Sequence, residues 1–309
     1  MFRLTKFLQE IDAPSAVGPR RDPPGPVVIW NLIRRCNLTC KHCYAISADK
    51  DFPGELSFEQ VEGVLKDLKA FKVPALILSG GEPLLRDDIF EISKLAKSMG
   101  FYVGLSTNGT LIDETMISPI AEIGYDYVGI SIDGMRDTHD KFRRLEGAFD
   151  KSMAAVRLCR DAGLKVGLRF TMTQDNASEL PAMLDMIDGE GIDRFYFSHL
   201  NYAGRGNHNR GSDAVFQATR EALDLLFDRA WADAQKGGTR DYVTGNNDAD
   251  GVYFLMWVEK NLPERLDEMR AMLGRWGGNS SGVNIANIDN LGNVHPDTMW
   301  WHHNLGNVR

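Results

Sequence analysis

Between residues 27 and 199, six β-rich apolar runs alternate with segments of helical period, and no other feature restricts the fold of this chain as much. A helix between consecutive strands lets those strands run parallel, so the alternation predicts an α/β sheet with crossover helices. Strands are read at 27–33, 75–79, 102–107, 127–132, 165–171 and 194–199, and helices at 57–71, 88–99, 113–123, 148–162 and 177–190. Ser57 with Gln60 has the spacing of a capping box, and Gly100 and Gly163 stand where glycines end helices.

In a parallel α/β barrel the reacting groups lie in loops after the carboxyl ends of the strands. Here those loops carry Cys36-Asn-Leu-Thr-Cys40-Lys-His-Cys43, Gly80-Gly-Glu-Pro83, Ser106-Thr-Asn-Gly109, Ser131-Ile-Asp-Gly134, Arg169-Phe-Thr-Met-Thr173 and Ser198-His-Leu-Asn201. Six successive strands thus deliver polar or glycine-rich segments to one rim. The texture changes after Asn201: residues 202–212 read as a loop, 213–235 as an amphipathic helix, and 250–273 as helix interrupted near Pro263, which starts a new helix. Short β-like pieces follow at 283–288 and 292–295.

Three of the four cysteines fall within eight residues. A closed zinc site wants four ligands, and the only nearby candidate is His42, adjacent to Cys43 and badly placed to share its metal. Three thiolates instead suit a four-iron cluster with one iron left open, since such a cubane normally takes four cysteines. Cys159, at helical spacing with Val156 and Leu158, reads as a buried structural thiol.

The cysteine loop followed 37 residues later by Gly80-Gly-Glu-Pro83 resembles the radical S-adenosylmethionine (SAM) superfamily. That resemblance implies a partial (β/α)6 TIM-type barrel with a short α+β C-terminal extension. It also implies a 4Fe-4S cluster held by Cys36, Cys40 and Cys43, with SAM on the open iron and cleaved to a 5'-deoxyadenosyl radical. Gly80 and Gly81 would let the backbone approach the methionine ammonium, with Glu82 as acceptor and Pro83 stiffening the turn. His42, Asn108, Ser131, Arg143 and Leu200 complete the implied cofactor contacts, Arg143 matching the methionine carboxylate, Asn108 the ribose and Leu200 the adenine.

Within the superfamily, residues 29–44, 79–86, 200–206 and 292–301 are similar to the heme d1 biosynthesis branch. The implied substrate is 12,18-didecarboxysirohaem, an iron tetrapyrrole, and the implied reaction removes two propionate side chains. Asn201, Tyr202, Arg205 and Arg210 are the candidates to hold substrate carboxylates. His199, His208, His295, His302 and His303 are candidates for an axial iron ligand or an acid–base role. Relatives of this branch carry a C-terminal cysteine cluster, whereas the present sequence has no cysteine after Cys159 and has His295 where a cysteine often follows Gly-Asn-Val; turnover is expected to be weaker than SAM cleavage.

The formal charge of −8 argues against general nucleic-acid binding, and Arg20–Arg21 and Arg34–Arg35 read as solvated surface. With no apolar run of membrane length and no signal peptide, the expectation is a cytoplasmic monomer served by an unidentified low-potential electron donor. Three segments are expected: an N-terminal extension (1–25), a radical SAM core (26–201) and a C-terminal extension (202–309). Two other readings stay open at this level. One is a peptide-modifying maturase, against which the 25 residues before the first strand are short for a leader-binding domain; the other is a non-enzymatic iron–sulfur or zinc protein.

Overall fold

The computed structural model describes residues 1–12 and 25–309, so Arg20–Arg21 lies outside the described residues. In chain order the strands are β1 (Val27–Ile33), β2 (Ala75–Gly80), β3 (Tyr102–Thr107), β4 (Tyr127–Ser131), β5 (Val166–Met172), β6 (Arg194–His199), β7 (Asp241–Gly245), β8 (Ile285–Ile288), β9 (Asn293–His295) and β10 (Gly306–Asn307). The α-helices are α1 (Leu4–Asp12), α2 (Phe58–Ala70), α3 (Ile89–Ser98), α4 (Ile117–Ile123), α5 (Arg136–Arg143), α6 (Ala148–Asp161), α7 (Leu180–Gly189), α8 (Gly204–His208), α9 (Phe216–Gln235), α10 (Ala249–Asn261) and α11 (Leu266–Trp276). The six strands read from sequence are present to within one residue at each end.

The chain forms two compact units. The first, Asp22–Gly167 with Asn201–Arg210 and Ser280–Arg309, carries the cysteines. Its strand order is β10-β9-β8-β1-β2-β3-β4. Strands β8, β1, β2, β3 and β4 are mutually parallel, and β9 and β10 add antiparallel. Val28, Leu76 and Val103 are in register on one pleat, as are Trp30 and Leu78, and all are buried. Each such side chain removed from water contributes about 1.5–3 kcal/mol. β8 pairs directly with β1, through Val27↔Ile285 to Trp30↔Ile288, so a piece read only as a short β-like segment is a full member of the parallel sheet.

The second unit, Met1–Arg21 with Leu168–Leu200 and Gly211–Asn279, contains β5, β6 and β7 in that order. β7 is a parallel neighbour of β6 that periodicity does not reveal: five residues, all buried, cannot display an alternation. Phe195, Phe197, Phe227 and Phe254 form its apolar centre.

Local capping follows expectation in several places. Ser57 and Gln60 form the capping box, and Gly100 and Gly163 adopt φ of 77° and 76° behind α3 and α6. A short 3-10 turn at Pro263–Arg265 leads into α11. Helix α4 begins at Ile117, not 113, because Asp113 Oδ1 accepts the N–H groups of Thr115 and Met116 and closes a separate turn. The 202–212 segment is not wholly a loop, since it contains α8. Arg35 pairs with Asp49 and Asp51 on the surface. Among the described residues no helix is long and apolar enough to cross a membrane.

Candidate active site

The loop after β1 folds back on itself through Cys36 N–H to Ala48 O at 3.1 Å, and Lys41 N–H donates to Phe142 O at the end of α5. Cys36 and Cys40 are buried with Leu38, and Cys43 and Leu145 pack against them. Burial pushes the Cys36 thiol up to about 12, and the neighbouring Glu82, Cys40 and Cys43 push the same way against the Leu38 N–H, 3.4 Å from the sulfur. Burial also raises the Cys40 thiol, opposed by Arg143, whose Nη1 is 3.6 Å from that sulfur. Buried thiols packed together can exchange their protons for a bound cation, so the three sulfurs suit a metal centre.

β2 ends on Gly80-Gly81 because the backbone of β1 lies against it. A Cβ on Gly81 would stand 2.2 Å from Arg35 O, and one on Gly80 2.4 Å from Ile33 O. The glycines thus allow strand-end packing within the protein, a different closeness from the expected approach to a ligand. Glu82 is fully buried, accepting from Thr107 Oγ1 (2.7 Å), Asn108 N (2.8 Å) and Leu84 N (3.2 Å). Burial lifts its carboxyl to about 7 despite those donors. Its lone pairs tie the end of β3 to the turn after β2, in which Pro83 starts a buried 3-10 turn.

Asn108, expected at the ribose, is also turned into the protein. Its Nδ2 donates to Asn37 Oδ1 (2.9 Å) and lies 4.0 Å from Cys36 Sγ, while its Oδ1 accepts from Thr110. Asn108 therefore joins the end of β3 to the cysteine loop.

After β4, Ser131 is half-buried at the strand end, and Asp133 is fully buried. Arg143 Nη2 pairs with the Asp133 carboxylate, so the fork expected for the methionine carboxylate is occupied on one side by Asp133 and on the other by the Cys40 sulfur. Burial works against the Arg143 charge, yet Asp133 and Cys40 more than offset it and its pKa is raised. Arg143 Nε is buried without a hydrogen-bond partner. His42 stacks on Phe142 at 4.5 Å with Nε2 3.9 Å from Asp133. His139, which the sequence did not single out, accepts the Asp133 N–H through Nδ1 at 3.0 Å, and burial lowers it to about 4. It is a neutral acceptor that orients the Asp133 backbone; the only signal for it was its position inside the 131–143 motif.

The substrate candidates separate. Arg205, expected to face a ligand carboxylate, turns onto the cysteine loop, because its Nε and Nη1 donate to Cys40 O and Ser47 O at 2.8 Å. Asn201 backs onto α8, its carbonyl facing Gly206. Tyr202 and Arg210 are exposed together, the guanidinium 4.9 Å from the ring centre. His295 is buried, with its ring nitrogens facing His303 O (2.9 Å) and Asp289 Oδ2 (3.3 Å) inside the protein. His208, His302 and His303 are exposed. In the other unit Leu200 is buried, and His199 is held through Nε2 by both oxygens of the buried Asp250, at 2.9 and 3.0 Å.

A four-iron cubane places one thiolate on each iron, so its ligands surround the cluster and need not converge on one ion. Among the described residues no three His, Cys, Asp or Glu side chains converge as a single-metal site requires. Three neighbouring sulfurs, two of them facing N–H donors, fit the cubane.

Residues 30–187 match the radical SAM superfamily, and the chain belongs to it. It is a radical SAM enzyme of the heme-synthesis branch. The chain is 54% identical to the pre-heme d1 synthase of Dinoroseobacter shibae, covering 100% of this chain and 77% of that protein. It is 43% identical to the Fe-coproporphyrin III synthase of Methanosarcina barkeri, covering 92% and 71%. Among solved structures, SuiB of Streptococcus suis bound to its precursor peptide SuiA superposes with a TM-score of 0.70 at 16% identity, over 92% of this chain and 62% of SuiB. The AdoMet-bound anSMEcpe gives 0.68 at 23% identity, over 93% and 78%. At such identities these two establish the α/β fold alone.

Proposed function

We propose that this chain holds a 4Fe-4S cluster on Cys36, Cys40 and Cys43, binds SAM, and removes propionate side chains from 12,18-didecarboxysirohaem on the route to heme d1. The observation that carries the reading is the 54% identity to a pre-heme d1 synthase along the whole of this chain, with the three-cysteine loop intact. When bound, the cluster and SAM supply a 5'-deoxyadenosyl radical able to take a hydrogen atom from the propionate β-carbon. The chain's own residues position and shield. Cys36 and Cys40 lie out of water with Leu38, while Glu82 and Asn108 lock the ends of β2 and β3 to the cysteine loop. Gly80, Gly81 and Pro83 shape the turn after β2, Ser131 stands at the end of β4, and Arg143 holds Asp133 beside the Cys40 sulfur, so that together they frame the rim at which SAM would bind. The exposed Tyr202 and Arg210 pair offers a flat cationic surface to substrate carboxylates, for which a guanidinium is geometrically matched.

An external low-potential donor and a cytoplasmic setting belong to the same reading. The test is anaerobic reconstitution followed by incubation with SAM, dithionite and didecarboxysirohaem. Formation of 5'-deoxyadenosine coupled to loss of propionate mass is expected. Stimulation of SAM cleavage by a precursor peptide and not by the tetrapyrrole would overturn the substrate and favour a peptide maturase.

A further inference from the structure

Helix α8 has an unusual relation to the cysteine loop. From this five-residue helix and the residue after it, four loop carbonyls receive hydrogen bonds. Arg205 N–H donates to Cys43 O at 2.9 Å, its Nε to Cys40 O and its Nη1 to Ser47 O, both at 2.8 Å, and Asn209 Nδ2 to Lys41 O at 2.9 Å. The approach is close enough to require glycine: a Cβ on Gly204, where φ is 54°, would stand 2.4 Å from Tyr44 O and 2.6 Å from Cys43 O, and one on Gly206 would stand 3.3 Å from His42 O. Within the clasped stretch Ile46 sits at φ 50°, a region that β-branched residues avoid. Such a conformation persists only where its surroundings over-determine it.

The same guanidinium carries an unanswered charge. Arg205 Nη2 is buried with no hydrogen-bond partner, and among the described residues no carboxylate pairs with Arg205. A half-buried guanidinium without a counter-charge is costly, and the segment it grips carries Cys40 and Cys43, two of the three thiols that become anionic when they take metal.

We propose that Arg205 is a positioning residue for the iron–sulfur cluster: it holds residues 40–47 in the cluster-ready form, and its unpaired charge offsets that of the thiolates, raising the reduction potential. The proposal rests on the cluster reading above and needs no particular substrate. Net charge and hydrogen bonding around the sulfurs are established levers on cluster potentials, and outer-shell partners of metal ligands commonly change metal affinity by about 10–100-fold.

The full chain, R205Q and R205K are reconstituted anaerobically, and iron release to a chelator is measured beside an EPR-monitored redox titration. R205Q should lose iron about tenfold faster or more and titrate at a more negative potential. R205K, which keeps the charge and loses the fork, should lose iron faster at a potential near that of the wild type. Wild-type chelator resistance and potential in both variants overturn the proposal, as does an R205Q potential unchanged beside a lower melting temperature. If R205Q does not fold, R205K decides: labile iron at an unchanged potential supports the proposal, and wild-type resistance overturns it. A wild-type chain that takes up no iron overturns the cluster reading together with the proposal, whereas normal loading with indifferent variants overturns the proposal alone.

Discussion

Arg143 bridges the Asp133 carboxylate and the Cys40 sulfur, with Nη2 on the acid and Nη1 3.6 Å from the thiol. All three groups are buried, so the guanidinium compensates an acid that has no access to water. Replacing Arg143 by Met should destabilise the cluster-free chain by roughly 3–5 kcal/mol, the usual consequence of breaking a buried pair from one side. The double variant R143M/D133N should recover part of that loss in urea denaturation. A single variant as stable as the wild type would show that the pair does not hold this corner.

The cysteines should divide three to one. Replacement of Cys36, Cys40 or Cys43 by Ala should abolish 5'-deoxyadenosine production after reconstitution with dithionite, whereas Cys159→Ala should spare it, since Cys159 lies buried in α6. The wild-type chain should take up about four irons. Retained SAM cleavage in a Cys40 variant would sink the ligand assignment, and an iron content near eight would reveal ligands not recognised.

Glu82 should leave a pH signature in the cluster-free chain. Its carboxyl is raised from 4.5 to about 7, so the folded state binds more protons than the unfolded state between those values. The stabilisation it contributes is therefore fully present below pH 4.5 and lost as pH rises through about 7, roughly 3 kcal/mol in all. The difference in stability between wild type and Glu82→Gln should carry this slope across the window, because the opposite contribution of His139, whose ring is lowered to about 4, is common to both. Parallel curves would remove Glu82 as its source.

Two glycine substitutions should act in opposite directions. Gly81→Ala drives a Cβ to 2.2 Å from Arg35 O and 2.5 Å from Arg34 O, backbone atoms that must move, and should cost about 1–3 kcal/mol and loosen the cluster. Gly63→Ala, inside α2 with nothing within 4 Å, should stabilise by about 0.5–1 kcal/mol. Equal melting temperatures for the two would refute the close-approach argument.

The order of strands and helices, the capping box at Ser57 and the glycines behind α3 and α6 could be read directly, because each is written in the sterics and periodicity of neighbouring residues. The three cysteines were legible for the same reason: their chemistry depends on a spacing of a few residues. What the polar residues do with their hydrogen bonds was not legible. Asn108 meets Asn37, Arg205 meets Cys40, and His199 meets Asp250 across sequence separations of 71, 165 and 51 residues. No local pattern records such partners; the ligand roles expected of Gly81 and Asn108 came from the resemblance, and that of Arg205 from the match of a guanidinium to carboxylates.

By itself, then, the sequence determined an α/β chain with a three-cysteine loop after its first strand, since local preference and spacing suffice for both. Only the tertiary structure decided that β7 and β8 complete the sheets, that Glu82 and Asn108 face inward, and that α8 clasps the cysteine loop. Those outcomes depend on which strand ends the parallel pairing brings together, and on the need of each buried donor and acceptor for a partner once water is excluded.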